Sequence, residues 1–391
     1  MEQTLQAKPQ RIYSIDLLRG IIMVIMALDH VRDYFSNAHF DLTDLTQTTP
    51  ALFFTRWITH FCAPVFVFFA GTSAYLWQSK GKTKKQASLF LLTRGLWLIL
   101  LEVTIVRICW TFNFDFGFQI VQVIWAIGFS MVFLAALVYL KPVYTGIIGL
   151  LLIFIHNSFD SVSSASFGGL NWLWMFLHEQ NLYGSPARGI VFGYPIIPWI
   201  GVMATGYWFG TFFQLDKEAR RKLFLKVGLA CIALFIVIRA TNLYGDRSLW
   251  HQQDALWKTI ASFVNCTKYP PSLLYLLMTL GPAFVLLSFL EKADNKGTGA
   301  FFIVYGRVPM FYYLLHIILA HTLAIVVALL TAYPDKARFF SNNVFFSQGP
   351  WGFDLWFVYA IWLTVVLLLY YPCKWFMNVK AKNKHWALSY I

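Results

Sequence analysis

Ten separate, mostly apolar stretches run through this chain, each close to the length of a helix that crosses a bilayer: 14–35, 52–78, 87–109, 117–139, 142–157, 190–214, 222–243, 270–290, 308–332 and 352–376. A hydrocarbon core takes about 20 helical residues to span, and in lipid only helices and closed barrels satisfy every backbone amide. The short alternating strands of a barrel are absent. The expectation is an all-α polytopic membrane protein of about ten transmembrane helices, the fifth short and the ninth opening on a break between Gly306 and Pro309. The segment 167–183, FGGLNWLWMFLHEQNLY, is too short and too polar to span and reads as an interfacial or re-entrant helix on the outer side.

Composition agrees. Hydrophobic residues make up 58% of the chain and charged ones 13%, whereas soluble domains are nearer a quarter charged. Sixteen Trp and nineteen Tyr suit a protein with two membrane interfaces. The formal charge of +13 does not point to a nucleic-acid partner, because the basic residues fall in short clusters between apolar runs.

Those clusters set an orientation. With the N-terminus inside, the inner loops carry KGKTKK (80–85), Lys141, DKEARRKLFLK (216–226), Lys292, Lys296 and Lys374 through Lys384; the outer loops carry only Arg188, Arg247, Lys258, Lys268, Lys336 and Arg338. The positive-inside rule then places both termini in the cytoplasm and the chain in the cell (inner or plasma) membrane. The first helix, interrupted by Asp16 and Arg19 and lacking a small-residue cleavage site, is expected to remain as a signal anchor. No linker or internal repeat divides the chain, so 1–391 reads as one integral-membrane domain with short cytoplasmic tails at 1–12 and 377–391.

Five cysteines (Cys62, Cys109, Cys231, Cys266, Cys373) form no CxxC pair and no metal-ligand spacing, so neither a disulfide framework nor a metal is expected. The informative residues are ionisable groups inside apolar helices, which pair, line a cavity or do chemistry. Asp16 and Arg19 are expected to form a local ion pair. At the outer end of the first helix, LDHVRDYF (28–35) brings Asp29, His30, Arg32 and Asp33 within three or four residues of one another. This spacing admits a carboxylate beside an imidazole, as a general base requires, and equally a solvated local salt bridge. In RWITHFCAPVFVFFAG, Pro64 removes the backbone hydrogen bond to residue 60, so His60 stands at an expected kink. Arg94 and Glu102 lie in the third stretch; Arg307 immediately precedes the ninth, which holds His316 and His321 and has no zinc-like spacing. Arg94, Arg307 and the basic loops suit a phosphorylated ligand arriving from the inner side.

Taken together, RIYSIDLLRGIIMVIMALDHVRDYF, RWITHFCAPVFVFFAGTSAYLW, RGLWLILLEVTIVR, IVQVIWAIGFSMV, YPIIPWIGVMATGYWFG, KYPPSLLYLLMTLGPA and YGRVPMFYYLLHIILAH resemble the heparan-α-glucosaminide N-acetyltransferase catalytic-domain family, particularly its bacterial members. The resemblance implies a transmembrane acetyltransferase that takes acetyl-CoA as co-substrate on the cytoplasmic side. It passes the acetyl group to an amine or hydroxyl of a sugar or glycoconjugate at the outer face. It also permits a homodimer. Counting from the RG of the first helix, His39 stands where the family has its catalytic histidine and Asp29 where it has an asparagine. A carboxylate orients a base but donates no hydrogen bond to an oxyanion unless protonated. His30 and His60 are the other candidates for the base, and His316 matches a histidine on a late helix of the family. Direct attack and an acetyl-histidine intermediate are both open. The other class the buried charges fit is a proton-coupled transporter or lipid-handling protein.

Overall fold

A computed structural model describes residues 12–293, 296–342 and 351–383, together with 385 and 388. The expected N-terminal tail lies outside the described residues, save Ile12 at its end. The chain is helical almost throughout. In order come α1 (Tyr13–Phe35), α2 (Pro50–Thr59), α3 (Cys62–Gln78), α4 (Lys84–Leu101), α5 (Arg107–Thr111), β1 (Phe118–Val121), α6 (Val123–Leu137), α7 (Pro142–Ile155), α8 (Asn171–Leu177), β2 (Leu182–Gly184), β3 (Gly189–Phe192), α9 (Ile196–Phe209), α10 (Lys217–Thr241), α11 (Leu256–Val264), α12 (Leu273–Leu290), α13 (Gly297–Arg307), α14 (Pro309–Leu330) and α15 (Leu355–Lys382). The π-helical turn Glu102–Val106 joins α4 to α5 in one rod.

Eight of these rods are long and apolar enough to cross a membrane among the described residues: Pro50–Gln78, Lys84–Thr111, Pro142–Phe159, Ile196–Gln214, Lys217–Thr241, Leu273–Leu290, Pro309–Leu330 and Leu355–Lys382. The chain is an all-α polytopic membrane protein. Two of the ten expected spans differ in kind. At 23 residues, α1 has spanning length, about 34 Å at 1.5 Å per residue, but it carries Asp16, Arg19, Asp29, Arg32 and Asp33. α6 is apolar but only 15 residues long, because the stretch expected to begin a helix at 117 begins as β1. That strand is a departure from the reading without strands. β1 pairs parallel with β3, and β3 antiparallel with β2, in a three-stranded sheet of order β1-β3-β2. Phe118 stands opposite Gly189 and Leu182 opposite Val191. The segment 167–183 holds a 3₁₀ turn (Ser164–Leu170), the two-turn α8 and part of β2. α15 runs past the expected tail boundary at 377 to Lys382.

Local chemistry explains the ends. Thr83 and Gln86 form a reciprocal capping box on α4 (Thr83 N to Gln86 Oε1, 3.0 Å; Gln86 N to Thr83 Oγ1, 3.2 Å). Asp216 caps α10 and Ser272 caps α12 through their first-turn amides. Pro50, Pro142 and Pro309 occupy first helical positions, where a missing N–H is harmless. At the expected kink before Pro64, His60 and Phe61 interrupt the hydrogen-bond ladder between α2 and α3 while keeping right-handed helical backbone, and the freed His60 carbonyl accepts from the Tyr275 hydroxyl at 2.7 Å.

Helices meet through facing glycines, Gly95 with Gly128, Gly149 with Gly201, Gly228 with Gly281 and Gly20 with Gly306, while Gly71 and Gly206 seat the α3 and α9 backbones at Met203 and Phe68. Hydrophobic transfer does not drive helices together inside lipid, so close backbone contact does much of the holding. The α1–α13 crossing is the tightest: a Cβ on Gly20 would lie 1.8 Å from the Phe302 carbonyl oxygen, and one on Gly306 1.8 Å from that of Asp16. Both obstacles are backbone, so Gly306→Val is expected to abolish accumulation of folded protein, read as loss of the monodisperse peak in fluorescence-detected size exclusion, while Gly169→Ala, with open space around it, gives a normal peak. At the same end, Glu291 accepts from Ser14 and from Arg220 (Nε, 2.7 Å), joining the starts of α1 and α10 to the end of α12. We call this the basic end, and the opposite one the sheet end. Away from the core, α15 exposes Trp356, Leu363, Leu367 and Trp375, a surface suited to lipid.

Candidate active site

α1 threads the centre of the fold, and its ionisable groups reach partners on several other helices as well as on α1 itself. Near the basic end, Asp16 lies 3.4 Å from Arg307 Nε, and Arg19 donates to the Phe69 carbonyl at 2.8 Å and to Ser73. These side chains open onto a cavity of about 450 Å³. Four cations, Arg19, Arg94, Arg307 and Lys380, line it together with Trp77. Its remaining walls are apolar: methionines 23, 26, 131 and 310 with Phe66, Leu98 and Ile124. From Asp16 to Met26 the cavity follows α1 for ten residues, about 15 Å. Tyr313 closes the far side.

Behind Tyr313 sit two histidines from distant parts of the chain. The Tyr313 ring is edge-on to His30 (5.9 Å) and to His316 (5.6 Å). His30 Nδ1 lies 2.6 Å from His316 Nε2, and the rings stack 16° from parallel. His316 Nδ1 is 2.8 Å from the Tyr312 carbonyl. A carbonyl only accepts, so Nδ1 of His316 carries the proton; its Nε2 is then the acceptor, and His30 must donate from Nδ1. The relay leaves the lone pair of a neutral His30 on Nε2, where no described residue hydrogen-bonds it. Trp110 packs edge-on against the same ring at 4.7 Å. An imidazole with one nitrogen held and the other open is equipped to take a proton or to attack a carbonyl.

Asp29, one residue away, does not touch this pair. Both its oxygens accept from Arg56 at 2.7 Å, Arg32 reaches it at 2.7 Å, and Thr59 donates at 3.0 Å. Arg32 also holds Asp33 at 2.7 Å. Two carboxylates and two guanidiniums thus share one cluster, the salt-bridge alternative for LDHVRDYF, extended to a second helix. Toward the sheet end lies Tyr269 with Lys268 over its ring at 5.1 Å and Tyr194 at 5.1 Å between ring centres. Burial would raise the Tyr269 phenol, but Lys268 and Arg56 outweigh it and hold the group below the ordinary tyrosine value.

The remaining sequence candidates are dispersed. His39 is exposed, its Nε2 donating to the Trp351 carbonyl at 2.7 Å. Trp351 in turn donates to the Tyr34 carbonyl, so His39 braces the segment leading to α15. His60 is buried at the end of α2, its ring tilted 57° against that of Tyr275 at 5.5 Å. Arg94 and Arg307 line the cavity together; His316 stands beyond it with His30. Sequence reasoning missed Lys380, counted as tail, and Tyr313. The signal for Lys380 was the unbroken helical pattern past 377.

No curated protein matches the chain. Residues 11–252, more than half its length, match the family described as heparan-alpha-glucosaminide N-acetyltransferase, catalytic. That region supplies His30, the ion cluster and four cavity helices, α1, α3, α4 and α6, while Arg307, Tyr313, His316 and Lys380 lie beyond it. The chain therefore belongs to the catalytic-domain family of heparan-alpha-glucosaminide N-acetyltransferase and is a multi-pass membrane acetyltransferase.

Proposed function

We propose that the protein takes acetyl-CoA from the cytoplasm and transfers its acetyl group to an amine or hydroxyl of a sugar or glycoconjugate at the outer face of the cell membrane. One observation carries this reading: a cavity begins among four cations and ends at a tyrosine whose far side touches a paired histidine. The basic loops support a cytoplasmic cation-lined end. There Arg94, Arg307, Arg19 and Lys380 take the nucleotide phosphates, for which guanidinium forks are well shaped. The slender thioester arm runs along the methionine-lined wall, whose flexible thioethers adapt to it. The thioester carbonyl then lies against Tyr313, whose ring stands between it and His30 and turns aside for the two to meet.

His30 Nε2 removes the proton from the acceptor amine or hydroxyl as that atom attacks the thioester carbonyl. The C–S bond breaks, the acetyl group ends on the acceptor, and the proton passes from His30 to the departing CoA sulfur. Attack by Nε2 itself, giving an acetyl-imidazole that the acceptor then cleaves, uses the same geometry. His316 holds the tautomer in either route. Tyr194, Tyr269 and Lys268 face the acceptor side.

Purified protein in detergent is expected to bind acetyl-CoA by calorimetry and to release CoA slowly even without acceptor. Arg94→Ala should weaken binding about tenfold, the scale of one charge-assisted hydrogen bond, and raising salt should weaken the parent more than the variant. Folded protein that binds no acetyl-CoA above a no-protein control would remove the transferase reading of this cavity.

A further inference from the structure

At the sheet end, well away from the acyl-donor cavity, two buried histidines and an aspartate converge. His156 follows the last turn of α7, Asp160 lies one turn further on, and His178 caps the end of α8. One ligand atom from each lies within 4.8 Å of the others, the one such grouping of three among the described residues. His178 Nε2 is 3.1 Å from Asp160 Oδ1. Two donors on a tetrahedral zinc stand at about this separation, roughly 3.4 Å for bonds near 2.1 Å.

A second observation points to a ligand. His156 is 2% exposed, and neither of its ring nitrogens has a hydrogen-bond partner. His178 is 3% exposed, and its Nδ1 is likewise unpartnered. Buried polar atoms are almost always satisfied, so an imidazole orphaned at both nitrogens beside a carboxylate needs an explanation. The surroundings supply the support that metal ligands require. Asn157 Nδ2 donates to the second oxygen of Asp160 at 2.8 Å, fixing the carboxylate, and Asn157 Oδ1 accepts from the Leu273 amide at 2.9 Å. The carbonyl end of α7 adds a negative field.

We propose that His156, Asp160 and His178 bind a divalent transition-metal ion of the zinc class. Two neutral imidazoles and a carboxylate suit zinc with a water in the fourth position. The ion takes one of the two orphaned nitrogens of His156 and fastens the end of α7 to the end of α8, and Asn157 carries that anchor to the first turn of α12. The site departs from the expectation of no metal, because its spacing, His-x-x-x-Asp with the second histidine a loop and a short helix later, matches no common ligand pattern.

The test uses the full chain, purified on a tag without histidine, stripped with chelator and titrated with zinc, then with cobalt. About one equivalent of zinc should bind, and cobalt should give the intense visible bands of a tetrahedral site. His156→Ala and His178→Ala should each lower zinc affinity about a hundredfold and leave acetyl-CoA binding unchanged. Folded parent that binds no more zinc than His156→Ala would overturn the proposal. So would a His156→Leu variant that melts higher than the parent with zinc present, since the imidazole would then be only a poorly packed core residue. Neither result bears on the acyl-donor cavity, whose ligand is assayed separately.

Discussion

His30→Ala is expected to lose about a thousandfold in the rate of acetyl-CoA-dependent transfer and of CoA release, the middle of the range for a positioned general base, with acetyl-CoA binding intact. The reason is geometric. His30 alone among the histidines has one nitrogen fixed by a relay ending on a backbone carbonyl and the other free of hydrogen bonds among the described residues, behind the tyrosine that closes the cavity. His39→Ala is expected to keep activity within severalfold of the parent, because its ring is spent on the Trp351 carbonyl. His316→Phe should fall between them, since it frees the His30 tautomer without removing the base. Single-turnover CoA release, measured in detergent with binding checked by calorimetry, decides among them. If His39→Ala is the inactive variant and His30→Ala the active one, the chemistry lies on the outer loop and the buried pair is structural.

Asp29→Ala is expected to destabilise the protein by about 3 kcal/mol, the low end for breaking a buried ion pair, the discount reflecting side chains that are 14% exposed for Asp29 and 18% for Arg56. The loss comes less from the missing bonds than from leaving Arg32 and Arg56 as uncompensated charges between helices. Asp29→Asn, which still accepts from Thr59, should lose less, and Asp29→Leu with Arg56→Met should recover part of the deficit. Thermal unfolding monitored by fluorescence-detected size exclusion checks all three. A stable but inactive Asp29→Ala would instead show that the carboxylate works on the chemistry through His30.

The difference between these predictions shows what could be read in advance. LDHVRDYF announced that the end of α1 was special, and spacing limited its partners to neighbours three and four residues away. Arg32 obeyed, at i+3 from Asp29. The stronger partner, Arg56, sits on the next helix, and the partner of His30 is 286 residues away. Periodicity along one helix holds no information on which face of another will meet it. The same limit hid Lys380, whose place in the cavity depends on α15 continuing as helix, and it hid the grouping of His156 with His178, set by how the short helix α8 folds back.

The amino-acid sequence by itself determined that this chain lies in a membrane as a bundle of helices, which end carries the cations, and the family. These follow from local properties: apolar length against bilayer thickness, and charge on short loops. Tertiary structure alone decided which charges became ion pairs, which histidine kept an open nitrogen, and where a cavity ran between them. Those outcomes depend on close crossings such as Gly20 with Gly306, where two backbones touch and every side chain beyond is positioned by the angle they adopt.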